Sequence, residues 1–92
     1  MKTTWKPHEV RGELTTAKTN DLPETAFALP KQRKEPLTDA SHVRNALARF
    51  DQVEDASDAD RELAFANIKK AADHYDVEVS AKSWKDLGKP GS

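Results

Sequence analysis

The sequence predicts a mainly all-α fold: a small compact helical domain with two longer antiparallel helices, short flanking helices and a flexible amino-terminal arm. Apolar residues recur at helical spacing in two stretches, around Val43 to Phe50 and around Ala64 to Tyr75. Each stretch is preceded by residues suited to cap a helix, Thr38 or Asp39 and Ser57 or Asp58. The chain has 92 residues and no cysteine. It therefore holds one domain, burying roughly 60 to 65% of its unfolded surface, with neither disulfides nor thiolate zinc sites to support it.

Residues 1–20 mix Thr, Lys and Glu with isolated Trp5, Val10 and Leu14, and show neither a 3.6-residue nor a sustained two-residue period. They are expected to form the flexible arm. Trp5, its largest apolar group, has two readings, an anchor to the domain's own core or an anchor to a partner protein.

The helical domain is expected over residues 21–87. Asp21-Leu22-Pro23-Glu24 suits a helix start, since Asp21 can accept from unpaired backbone amides and Pro23 tolerates a first turn. Pro30 holds its predecessor out of αR geometry, so this helix should be short and end near Ala28. Lys31 to Pro36 then form an extended, exposed basic connector.

Val43, Leu47 and Phe50 mark the buried stripe of the next helix, with Ala40 and Ala46 alongside. The acidic stretch 51–58 interrupts the pattern. The longest helix follows, with Ala64, Phe65, Ile68, Ala71, Ala72 and Tyr75 on one broad face and Asn67, Lys69, Lys70 and Asp73 pointing elsewhere. Asp76 is expected to end it in the left-handed conformation. Val77 and Val79 suggest a brief extended segment. Ser80 can then cap a last short helix carrying Trp84 and Leu87, stopped by Gly88 and Pro90, before a disordered tail over residues 88–92. Trp84 reads either as a lid on the core or as an interface anchor.

The net charge of −1, from 15 basic and 16 acidic residues, argues against strong nonspecific attraction to nucleic acid or anionic membrane. Residues 1–50 carry nine basic against six acidic residues, and residues 51–92 carry six against ten. The apolar runs fall far short of the ~20 residues of a membrane helix, and the amino terminus has no apolar secretion segment. A cytoplasmic location is expected.

No catalytic or metal-binding constellation is legible, so neither an enzyme nor a bound metal or cofactor is expected. His8, His42 and His74 are widely separated and form no His-x-x-x-His pair. The acidic stretch resembles a calcium loop only superficially, because Val53 replaces an oxygen donor and Ala56 the turn glycine. The glycines, Gly12, Gly88 and Gly91, form no phosphate loop, and no serine lies in a Gly-x-Ser-x-Gly turn.

Two polar surfaces stand out. His42, Asn45, Arg49 and Gln52 recur at i, i+3, i+7 and i+10, forming one helical stripe that suits either a partner protein or solvent. Lys31, Arg33 and Lys34, with Arg44 and Arg49 on the following helix, form a basic set suited to phosphates or to a solvated connector.

The segments Leu22-Pro23-Glu24-Thr25-Ala26-Phe27 and His42-Val43-Arg44-Asn45-Ala46-Leu47-Ala48-Arg49 resemble the Leu-Pro-x-x-Ala-Phe and His-x-Arg-Asn-Ala-x-x-Arg hallmarks of an uncharacterised domain family of bacteria and phages. The resemblance covers residues 21 to 87. It implies a phage or prophage context, such as virion assembly, without a mechanism, and marks Leu22, Pro23, Phe27, His42, Arg44, Asn45 and Arg49 as family features. The expected function is a non-enzymatic protein-interaction or assembly module using His42, Asn45, Arg49, Gln52 and Trp5. The alternative is weak nucleic-acid binding through Lys31, Arg33, Lys34, Arg44 and Arg49.

Overall fold

The computed structural model describes residues 3–10, 13–54 and 56–87. The elements run α1 (Thr16–Asp21), β1 (Phe27–Leu29), β2 (Lys34–Pro36), α2 (Ala40–Arg49) and α3 (Asp58–His74), with 3-10 turns at Glu24–Ala26, Phe50–Gln52 and Trp84–Asp86. The all-α expectation is thereby corrected: this is a small α/β domain. β1 and β2 form an antiparallel hairpin with Phe27 opposite Pro36 and Leu29 opposite Lys34. α3 is the single long helix, and it packs most extensively against β1 rather than α2.

The expected helix near residues 21–28 is instead a 3-10 turn running into a strand. All three residues of β1 are buried. Ala28 and Leu29 enter the main core with Leu37, Val43, Phe50 and Ile68, whereas Phe27 joins a second cluster with Leu22 and Ala26. A strand buried on both faces shows no alternation, and three apolar residues are too few to separate strand from helix by period.

α2 and α3 form where the capping signals stand. The Asp39 carboxylate accepts from the His42 amide at 2.8 Å, and α2 buries Val43 and Ala46. At α3, the Asp60 amide donates to Ser57 Oγ at 3.1 Å and the Ser57 amide to the Asp60 carboxylate at 3.2 Å, a reciprocal capping box. The Ser57 backbone bond holds the Asp60 carboxyl below its ordinary 3.8. Its stabilising contribution is therefore present above that value and lost as pH falls through the folded one. α3 ends with Asp76 at φ 58 and the Val77 amide reaching back to Ala72. The expected last helix is the 3-10 turn at Trp84, and the tail over 88–92 lies outside the described residues.

The expectation of a flexible arm is also corrected. Trp5 is 1% exposed, with its ring edge-on to His74 and Tyr75 at centroid distances of 5.7 and 5.9 Å. Its indole N–H donates to the Leu37 carbonyl at 3.1 Å. The Lys6 amide bonds the Thr25 carbonyl and the Val10 amide the Thr38 carbonyl. α1 buries none of its residues, so it offered no apolar period to detect.

Asn67, expected on the polar side of α3, is fully buried. Its Oδ1 accepts from the Thr4 and Trp5 amides at 2.9 and 3.0 Å. Its Nδ2 donates to Thr4 Oγ1 and the Ala28 carbonyl, both at 2.9 Å. One amide thus joins the amino-terminal segment, β1 and α3, and uses both donors and both acceptor positions. No helix among the described residues is long and apolar enough to cross a membrane.

Asn67→Ala should lower the unfolding free energy by about 2–3 kcal/mol, because it leaves buried amide and carbonyl groups without partners. Urea unfolding measures this, and a loss below about 0.5 kcal/mol, the range of ordinary surface changes, would show that the amide is dispensable.

Candidate functional site

A groove of about 820 Å³ runs between the segment entering α1, the β2 strand and the exposed side of α2. Glu13, Leu14 and Thr19 form one wall, Glu35 and Pro36 come from β2, and Asp39, Ser41, His42, Asn45 and Arg49 line the α2 side. The stapled amino-terminal segment supplies the first wall, since Val10 and Leu14 pack on the Leu22, Ala26 and Phe27 cluster.

His42, Asn45 and Arg49, three of the four residues expected in the interaction stripe, share this groove. Gln52 does not line it. α2 ends at Arg49, and Gln52 sits in the following 3-10 turn, where the helical phase is broken. Trp5 is committed to the core, so it is not an exposed anchor. Trp84 is half-buried, its ring 6.4 Å from that of Phe50.

The basic set is dispersed. Arg33, at φ 51, turns its guanidinium onto the carbonyls of Thr19, Asn20 and Leu22 at 3.1, 3.4 and 2.7 Å, with its charge 4.8 Å from the centre of the Phe27 ring. It caps the carboxyl end of α1. Lys31 lines a separate pocket of about 330 Å³ beside α3, near the Gln32 to Asp60 hydrogen bond of 3.1 Å. Arg44 is exposed on α2 and outside the groove lining, while Arg49 and Lys34 both act on Glu35.

Glu35, like Glu13, is a groove residue that sequence reasoning does not assign to the site. Its place in the sequence is an exposed connector, yet it is half-buried in β2. Its φ is 58, in the left-handed region that costs a residue with a Cβ about 1–2 kcal/mol. The available signal was the acid itself, alone in a basic run and directly before Pro36, where the backbone is already restricted. Burial pushes the Glu35 carboxyl above its ordinary 4.5, with the positive charges of Arg49 and Lys34 offsetting part of the effect.

On the α2 side, Asp39 Oδ1 meets His42 Nδ1 at 2.7 Å while also capping the helix. Opposite a carboxylate the ring nitrogen is the donor, so the imidazole is oriented from its Nδ1 edge. The groove therefore offers carboxylates, an oriented imidazole, an amide and a guanidinium, a set suited to recognising polar and charged groups. Among the described residues no group of three or more His, Asp or Glu side chains is arranged to hold a metal ion.

The folded chain holds the Glu35 proton more tightly than the unfolded chain does, so ionising this group opposes folding. Relative to Glu35→Gln, the native chain should lose stability as pH rises from 4.5 through the raised folded value, and the difference should then level off. Urea unfolding of both chains across this range measures it. A difference that opened only as the solution was made more acid would contradict the burial of Glu35.

No curated protein and no solved structure matches the chain. A protein-family profile does match, over residues 7–82, a span that begins within the segment expected to be a free arm. The chain belongs to the family of unknown function DUF6582.

Proposed function

We propose that this domain is a non-enzymatic protein-interaction or assembly module that docks a partner protein along the groove between α1, β2 and α2. The observation that carries this reading is the convergence of His42, Asn45 and Arg49 from one helix with Glu35 from the hairpin around one open groove of about 820 Å³. The resemblance to bacterial and phage domains supports a partner from a phage or prophage assembly context, and the reading is of a domain that acts in the cytoplasm.

Weak nucleic-acid binding is the lesser reading. Arg33 spends its donors on backbone carbonyls of its own chain, and Arg49 and Lys34 lie near a carboxylate, so the set presents no continuous track for phosphates.

Asn45→Ala combined with Arg49→Ala should abolish capture of the protein partner by the tagged full chain, while Lys85→Ala, outside the groove, leaves it intact. Cross-linking and pull-down from the host measure this, with short duplex DNA as a parallel ligand. Unchanged capture by the double variant, or DNA binding that falls steeply with salt, would overturn the proposal.

A further inference from the structure

We infer that the groove is a receptor for a basic peptide segment of the partner protein, in which an arginine or lysine side chain of that segment pairs with Glu35. This rests on the interaction reading above and adds the chemistry of the partner.

The charge of the groove selects the occupant. Glu13, Glu35 and Asp39 supply three carboxylates against the guanidinium of Arg49 in the lining and the ammonium of Lys34 that also acts on Glu35, so the balance favours a cationic guest over a phosphate backbone. Glu35 is the groove carboxylate contributed by β2. It is half-buried, and no hydrogen bond or ion pair among the described residues engages its carboxylate. A half-desolvated carboxylate without a direct partner gains more from an arriving cation than an exposed one does. Leu14 and Pro36 provide apolar surface in the same groove, which suits the aliphatic stem of a lysine or arginine. Asn45, in the same lining, offers both a donor and an acceptor for the backbone of neighbouring peptide residues.

The test is a titration of the isotope-labelled full chain with a blocked pentapeptide, Ala-Ala-Arg-Ala-Ala, and with counterparts carrying Gln or Glu at the centre, followed by amide NMR. The arginine peptide should shift the amides of Glu35, Asn45 and Arg49, the glutamine peptide should bind about tenfold more weakly, and the glutamate peptide should leave these amides unmoved. Glu35→Gln should weaken the arginine peptide about tenfold, Glu13→Gln should weaken it by a smaller factor, and Lys85→Ala should change nothing. Dispersed spectra of each variant establish that it is folded. Groove amides that stay silent with the arginine peptide at millimolar concentration, equal binding of the glutamate peptide, or unchanged affinity in folded Glu35→Gln would overturn the inference. If partner capture still depended on Asn45 and Arg49 in that case, the interaction reading would stand and its basic-peptide chemistry would fall. Peptide binding beside capture indifferent to Asn45 and Arg49 would support the groove as a cation receptor and refute the α2 stripe as the partner contact.

Discussion

The fold depends on one buried amide. Asn67 on α3 takes two backbone amides and a hydroxyl from Thr4 and Trp5 and a carbonyl from Ala28 of β1, and a fully satisfied polar group in a low-dielectric interior fixes geometry more strictly than apolar contact does. It sets where residues 3–5 lie against α3. Trp5 is then buried beside His74 and Tyr75, Lys70 reaches the Trp5 carbonyl at 3.1 Å, and the following residues bond Thr25 and Thr38. That path carries the chain past the Leu22, Ala26 and Phe27 cluster to Glu13 and Leu14, which become a wall of the groove. Core and groove are consequences of the same stapled segment.

Local signals were legible where local physics decides. Asp39 caps α2, Ser57 and Asp60 cap α3, and Asp76 closes it, all at positions that short-range chemistry marks. The hairpin was not legible, because β1 has only three residues, all apolar and all buried. Asn67 was missed for a related reason. A polar residue flanked by Ala66 and Ile68 has a default place on the solvent side, and partners distant in sequence, at Thr4, Trp5 and Ala28, bring it inside. Trp5 was recognised as the arm's one large apolar group, but its destination depends on the same distant contacts.

The candidate site divides in the same way. His42, Asn45 and Arg49 follow from helical periodicity, which holds until α2 ends at Arg49 and the 3-10 turn removes Gln52 from the stripe. Glu35 and Glu13 enter from segments whose positions are set by tertiary pairing, and no period in the sequence links them to α2. Arg33 illustrates the converse. Its place in a basic run suggests a phosphate contact, while its left-handed backbone and three carbonyl partners give it a task within the fold. The left-handed backbone at Glu35, beside a half-buried carboxylate, is the kind of strain that concentrates at ligand-binding positions.

Amide and indole hydrogen exchange on the native chain tests the Asn67 hub most directly. The Trp5 amide and indole N–H should exchange as slowly as the buried amides of α3 near Ile68, because opening them requires breaking the hub. Exchange of the Trp5 protons at the rate of an unstructured peptide, alongside a protected α3, would show that the amino-terminal segment is not held by Asn67.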